Sequence, residues 1–86
     1  MIKKTVKVQV EGGLDVRPVA VLVQIANQYD SEVYLENEKH KFNAKSIMGM
    51  MTLCTCEGDY VNVIANGVDE EKAIIHLENY LLGLDA

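Results

Sequence analysis

The chain has 86 residues, of which 49% are hydrophobic, and a net charge of −5 at pH 7. A chain of this length can build one small hydrophobic core, so we expect residues 1–86 to form a single domain. The negative charge, with no run of Lys or Arg, excludes the basic surface that nucleic acid binding needs. No apolar run can span a membrane and the N-terminus lacks a signal-peptide core, which predicts a cytoplasmic protein.

The chain contains two cysteines, Cys54 and Cys56. A single residue separates them, whereas zinc knuckles and thioredoxin-like redox sites have a gap of two residues. In an extended segment the two side chains would point apart, and we therefore expect free thiols in a reducing compartment. We predict neither a metal site nor a cofactor.

The first half of the chain shows three predicted elements. Val6, Val8 and Val10 alternate with polar residues, which predicts a first strand over 6–10 with one buried face. From Pro18 to Tyr29 the apolar residues follow helical spacing, which predicts a first helix with Pro18 in its first turn. Its apolar positions are Val19, Leu22, Val23, Ala26 and Tyr29.

A hairpin and a short helix are predicted next. Residues Glu32–Glu36 alternate again, Asn37 and Glu38 offer a turn, and residues 40–43 have the composition of a short return strand. Ser46 is a good residue to begin the short helix that follows.

The last part of the chain predicts a fourth strand and a final helix. Residues Tyr60–Asn66 alternate, and Asp69 is the predicted N-cap of a helix whose first turn carries Glu70 and Glu71. Its predicted buried residues are Ile74, Leu77, Tyr80 and Leu81. The order βαββαβα predicts an α+β open-faced β-sandwich, with a four-stranded antiparallel sheet, one wet face and three helices on the other face.

Two segments carry a resemblance to a known family. The first covers residues 13–18 and reads Gly-Leu-Asp-Val-Arg-Pro; the second covers residues 42–53. They closely resemble the two signature regions of the HPr family, the small phosphocarriers of the bacterial sugar phosphotransferase system and their Crh-type regulatory relatives. The predicted order and lengths of the elements resemble the HPr fold along essentially the whole chain.

The first signature differs from the family at its central position. In the family a histidine stands there and accepts phosphate from enzyme I; here the residue is Asp15, while Arg17 and Pro18 match and Val16 departs. Aspartate has no ring nitrogen, so the resemblance implies that this acceptor is lost. Asp15 could instead cap the helix, imitate the charge of a phosphohistidine, or accept phosphate as an acyl phosphate.

The second signature keeps its serine. Residues 43–49 match the segment that HPr kinase/phosphorylase recognises in Gram-positive members, and this match implies reversible phosphorylation of Ser46. The simpler interpretation is that the Ser46 hydroxyl caps the short helix, and the two roles are compatible. A phosphate would add about −1.5 to −2 charges at this helix start.

The resemblance also implies a surface for partners. Spacing alone leaves Met48 and Met51 either in the core or at the surface. The resemblance favours an exposed apolar patch of Ile47, Met48 and Met51 near Arg17, with Met50 and Leu53 inward. The residues expected to contact partners are Asp15, Val16, Arg17, Ala20, Ile47, Met48 and Met51.

The sequence therefore favours a non-enzymatic regulatory phosphoprotein in carbon catabolite repression. Its expected partners are HPr kinase/phosphorylase and a LacI-type catabolite-control repressor, with no direct contact to DNA or membrane. One alternative is a phosphocarrier that still transfers phosphate through Asp15, and another is an interaction-only module that binds enzyme I. His40 and His76 have no nucleophile or carboxylate pattern near them, and we expect no catalytic role for either.

Overall fold

The computed structural model describes residues 1–38, 40–53 and 55–84. In these ranges the elements follow the predicted order βαββαβα. They are β1 (Ile2–Lys7), α1 (Val16–Ala26), β2 (Glu32–Glu36), β3 (Lys41–Asn43), α2 (Ile47–Met50), β4 (Tyr60–Asn66) and α3 (Glu70–Leu81).

The predicted first strand was wrong in its bounds, because β1 begins four residues and ends three residues earlier than the valine pattern suggested. The Val8 N–H still donates to the carbonyl of Asp59 at 2.7 Å, in the register of β1 with β4, but the Val8 carbonyl accepts from the Gly58 N–H at 2.7 Å, which breaks that register. The Gln9 N–H then donates to the carbonyl of Leu81 at 2.7 Å, so the chain leaves β4 at Gln9 and turns towards the end of α3. Val8 is still fully buried, so its apolar character reflects the core rather than the strand.

Two other predicted boundaries were also displaced. Helix α1 begins at Val16, two residues before Pro18, and ends at Ala26 with Asn27 as its C-cap, so Tyr29 lies beyond it. Strand β3 begins one residue after His40, whose carbonyl accepts a hydrogen bond from the Asn37 N–H within the turn.

The sheet has the strand order β1-β4-β2-β3, and every neighbouring pair is antiparallel. The two edges are therefore β1 and the three-residue β3. The strands turn their apolar side chains towards the helices, as the open-faced sandwich predicts. The core combines strand residues Val6, Val33, Leu35, Val61, Val63 and Ala65 with helix residues Val19, Leu22, Ile25, Ala73, Ile74, Leu77 and Leu81.

The opposite face of the sheet is covered by a polar network. Lys3 Nζ lies 3.0 Å from Glu36 Oε1, Asn62 Nδ2 donates to the same oxygen at 3.0 Å, and Thr5 Oγ1 donates to Asn62 at 2.7 Å. The hydrogen bonds from Lys3 and Asn62 lower the pKa of Glu36. Ile64 also points to this face but is only 6% exposed, so the face is not uniformly wet.

Asp69 does not cap α3 with its side chain, and this part of the prediction was wrong. Its carboxylate instead accepts hydrogen bonds from the backbone N–H groups of Asp30 and Ser31, each at 2.9 Å, and from the Ser31 hydroxyl. These bonds join the segment after α1 to the segment before α3. At the start of α3 the side chain of Glu70 bonds back to the preceding turn, because its Oε1 accepts from the Gly67 N–H at 3.1 Å.

A close backbone approach accompanies this contact. A Cβ atom at Gly67 would lie 2.6 Å from Ser31 Cα, and Gly67 has φ +158°. Only a residue without a side chain allows the two segments to approach so closely.

The Asp69 contact should make the stability of the protein depend on pH. The Ser31 hydroxyl, followed by the Asp30 N–H, lowers the pKa of Asp69 in the folded state. The resulting stabilisation is present above the unfolded pKa, about 3.9, and is lost as pH falls through the folded pKa. We expect Asp69→Asn to be less stable than the wild type at pH 7, with a difference that shrinks below about pH 4.

Urea unfolding between pH 7 and pH 2.5 measures this difference. Asp30→Asn is the matched control, because the contact uses the backbone N–H of Asp30 and not its exposed carboxylate. A difference between Asp69→Asn and wild type that stays constant over this pH range would contradict the assignment.

Candidate functional site

Asp15 lies at the N-terminus of α1 and caps it. Its Oδ1 accepts a hydrogen bond from the Arg17 backbone N–H at 3.2 Å, and its carbonyl accepts from the Val19 N–H at 3.0 Å. The capping interpretation of Asp15 is therefore confirmed. The contact with Arg17 is made by the backbone, and the exposed guanidinium makes no ion pair with Asp15 in the described structure.

The loop before Asp15 is held against the segment that precedes β4. The Leu14 N–H donates to the carbonyl of Thr55 at 2.8 Å, which forms an isolated antiparallel bridge. Gly13 has φ +78°, and a Cβ atom there would lie 2.6 Å from the Thr55 oxygen. A glycine is thus required at position 13 both for the backbone angle and for the space.

A cavity of about 370 Å³ connects the two signature segments. Asp15 and Val16 line it from the start of α1, and Met51 lines it from the end of α2. The complete lining is Gly12, Leu14, Asp15, Val16, Val19, Met51, Leu53, Thr55 and Cys56. Residues that are more than 30 positions apart in the sequence therefore share one surface depression.

Ser46 is the N-cap of α2. Its Oγ accepts a hydrogen bond from the Gly49 N–H at 3.2 Å, and its carbonyl accepts from the Met50 N–H at 3.0 Å. The side chain is partly exposed. The capping role is confirmed, while phosphorylation of Ser46 stays a prediction.

The apolar side chains near these two caps are exposed, as the resemblance implied. Met48 is 81% exposed, Val16 68%, Met51 56% and Ile47 44%. We call these four residues the apolar patch. Met50 and Leu53 are buried in the core, Arg17 is exposed and Ala20 is partly buried. A role of the patch in partner binding stays a prediction.

Sequence reasoning missed two contributors to this region and the position of a third. Thr55 holds the loop before Asp15, and Lys45 ties the segment before Ser46 to the segment after α1. Cys56 is a free thiol, as predicted, but its place in the lining of the cavity was not foreseen. The match at residues 43–49 includes Lys45, but no sequence signal shows which carbonyl its ammonium group meets. Cys54 lies outside the described residues, so its predicted free thiol is not tested.

The two histidines differ in their surroundings. His40 is exposed, with its ring 6.1 Å from that of Phe42. His76 is partly buried on α3, and a 2.7 Å hydrogen bond joins its Nδ1 to the Tyr29 hydroxyl. This bond gives His76 a structural contact between α3 and the segment after α1.

In the part of the chain that the structure describes, no three His, Cys, Asp or Glu side chains are grouped so that they could hold a metal ion. None of its helices combines the length and the apolar character that crossing a membrane requires.

The fold and the two capped helix starts are those of a small phosphocarrier-like protein. The family model described as "PTS HPr component phosphorylation site" matches residues 2–82. The chain belongs to the HPr family, whose members are phosphocarrier proteins and not enzymes.

Relatives agree with this assignment. The chain is 44% identical over 81 residues to the HPr-like protein Crh of Bacillus subtilis (strain 168), covering 94% of this chain and 95% of the relative. It is 37% identical over 78 residues to the phosphocarrier protein HPr of Treponema pallidum (strain Nichols), covering 91% and 89%.

Solved structures agree as well. HPr-C-His from Thermoanaerobacter tengcongensis superposes with a TM-score of 0.88 at 37% identity, with both chains covered completely. Selenomethionyl Crh from Bacillus subtilis gives a TM-score of 0.77 at 43% identity, covering 98% of this chain and 97% of that one. The predicted fold and the resemblance to Crh-type members are both confirmed.

The cap at Ser46 should contribute measurably to stability. Ser46→Ala removes the acceptor of the Gly49 N–H, and loss of such a cap costs about 0.5–2 kcal/mol, here towards the low end because α2 is short. Ser46→Asp keeps an acceptor and should lose less. Thermal unfolding measures the difference, and a loss of about 1 kcal/mol corresponds to roughly 4–8 °C for a domain of this size. Equal melting temperatures of the two variants would contradict the capping role.

Proposed function

We propose that the chain is a regulatory phosphoprotein of carbon catabolite repression. HPr kinase/phosphorylase phosphorylates Ser46, and the phosphorylated form binds a LacI-type catabolite-control repressor. The observation that carries the proposal is the position of Ser46: its partly exposed hydroxyl begins the short helix that presents Met48 to solvent. One partner surface can therefore meet the modified group and the apolar patch together.

The modification is a phosphoryl transfer to Ser46 Oγ. The bond between Oγ and the γ-phosphorus of ATP forms, the bond to the ADP oxygen breaks, and the hydroxyl proton leaves to a base on the kinase. The product carries about −1.5 to −2 charges, and its oxygens can still accept from the Gly49 N–H. The start of α2 therefore suits the modified serine without a change in fold.

Asp15 supports regulation over phosphate transport. It stands where the family's first signature carries the acceptor histidine, and one of its carboxylate oxygens already accepts from the Arg17 N–H. As a phosphate acceptor this carboxylate would have to be activated by the donor enzyme, because a carboxylate is a weak nucleophile and has no ring nitrogen that could form a phosphoramidate.

The proposed contact surface for the repressor is the apolar patch with Asp15, Arg17 and Ala20 around it. Exposed flexible apolar side chains beside a switchable charge are suited to protein recognition. The kinase and the repressor both act in the cytoplasm, which is the proposed location. In the competing interaction-only function, enzyme I would meet the same surface without any need for phosphate.

Phosphorylation at Ser46 should strengthen binding to the repressor. A charge-assisted hydrogen bond contributes about 1.5–3 kcal/mol, so we expect the unphosphorylated protein to bind at least roughly tenfold more weakly. Phosphorylated Met48→Ala should lose a similar amount through its apolar contact, about 1.5–3 kcal/mol when fully buried. Calorimetric titration of the repressor with the three proteins measures both effects, and added salt should reduce the phosphate contribution more.

The controls for this experiment start with the kinase. Intact-mass analysis after incubation with ATP should show one phosphate on the wild type and none on Ser46→Ala. Val68→Ala, which removes a 92% exposed apolar side chain outside the patch, should bind like the wild type. Equal affinity of the phosphorylated and unphosphorylated forms would favour the interaction-only function.

Enzyme I with phosphoenolpyruvate should leave the wild type unmodified. The expected reason is the missing imidazole at position 15, and Asp15→His should restore phosphate acceptance. Radiolabelled transfer from phosphoenolpyruvate measures both proteins, with Asp15→Asn as the matched control that also lacks an imidazole. Rapid stoichiometric labelling of the wild type that hydroxylamine removes, as it would from an acyl phosphate, would support the carrier function instead.

A further inference from the structure

The backbone before Ser46 is tied to the end of α1 by the side chains of two residues. Lys45 Nζ donates to the carbonyl of Tyr29 at 2.6 Å, and Asn27 Nδ2 donates to the carbonyl of Lys45 at 3.2 Å. Asn43 fixes the same turn, because its Oδ1 accepts from the Lys45 N–H at 2.9 Å and its carbonyl accepts from the Ser46 N–H at 3.0 Å. We call the Lys45 and Asn27 contacts the 27–45 link.

The carbonyl that accepts from this ammonium group lies in the segment after α1, two residues beyond the C-cap Asn27. Tyr29 is itself fixed, since its hydroxyl is bonded to His76 and its ring packs edge-on against the imidazole at 5.8 Å. Lys45 is therefore anchored to a carbonyl that α3 holds in place.

The Lys45 side chain and the neighbouring hydroxyl have different partners. The ammonium group donates to the Tyr29 carbonyl, whereas the Ser46 hydroxyl accepts from the Gly49 N–H. Lys45 is also partly buried, unlike a solvated surface lysine. Its charge thus serves a contact within the protein, and the residue directly before the phosphorylation site is part of the framework.

We propose that Lys45 is a positioning residue for phosphorylation of Ser46, and that it acts through the 27–45 link. This inference rests on the proposed function, because it concerns the same serine and the same kinase. The link orders residues 43–46 in the unbound protein, so that the kinase meets a preformed substrate. Without the link this segment must be ordered during binding, which weakens the productive complex.

The expected kinetic effect is on KM for the protein substrate. Lys45→Met keeps the length and the apolar stem of the side chain but removes the ammonium donor, and we expect KM to rise roughly tenfold with kcat changed little. Asn27→Ala removes the second donor and should raise KM in the same direction. Because both act through one link, the double variant should be little worse than Lys45→Met alone.

Steady-state phosphorylation with the kinase and ATP measures these values. Lys45→Arg, which keeps a charged donor, should recover most of the wild-type KM. Gln28→Ala is the matched control for Asn27→Ala, because it changes an exposed neighbour at the same end of α1. Amide hydrogen exchange of the unphosphorylated proteins should be faster in Lys45→Met and Asn27→Ala than in the control at positions 45 and 46, whose N–H groups donate to Asn43.

The outcomes separate the link from the proposed function. A raised KM for Lys45→Met with wild-type values and wild-type exchange for Asn27→Ala would show that Lys45 contacts the kinase directly, and would overturn the proposal. Wild-type KM for all variants would overturn it too. A wild type that the kinase does not modify would instead refute the proposed function, whereas unchanged exchange alone would refute the link. If Lys45→Met does not fold, Asn27→Ala still tests the link: a wild-type KM for Asn27→Ala would overturn the proposal, and a raised KM beside a nearly wild-type KM for Lys45→Arg would support it.

Discussion

The contact between Asp69 and Ser31 is the interaction on which the arrangement of the helices depends. It joins the segment after α1 to the segment before α3, two parts of the chain that are 38 positions apart. Because Ser31 is fully buried, the carboxylate satisfies its backbone N–H and its hydroxyl without water. The close approach at Gly67 leaves no room for these two segments to shift independently.

The same contact reaches the candidate site through α1. With Asp30 and Ser31 fixed, the position of Tyr29 is also determined, and Tyr29 offers its hydroxyl to His76 and its carbonyl to Lys45. Lys45 directly precedes Ser46 in the chain, so its contact restricts the position of Ser46. A partly buried contact between the segment after α1 and the segment before α3 thus helps to define where the partly exposed Ser46 hydroxyl lies.

The sequence predicted the order of the elements because apolar periodicity follows the burial of each face. It predicted the bounds less well, since the end of β1 is set by the bond from the Gly58 N–H to the Val8 carbonyl and by the bond from the Gln9 N–H to Leu81. Asp15 and Asp69 both have the residue type of an N-cap, yet only Asp15 caps with its side chain. The Asp69 carboxylate instead accepts hydrogen bonds from Asp30 and Ser31, in the segment after α1. The exposure of Met48 and Met51 could be predicted only from the family resemblance, because the spacing of apolar residues in a four-residue helix does not distinguish core from surface positions.

The two edges of the sheet have a consequence for how the protein behaves at high concentration. An unpaired edge strand offers its N–H and C=O groups to any other chain and can start uncontrolled association. At one edge, β1 carries the three lysines Lys3, Lys4 and Lys7, and lysines on an edge strand hinder its pairing with another chain. At the other edge, β3 has only three residues, too few to template a long pairing. Neither edge therefore offers a second copy of the chain a strand that is both long and free of charge.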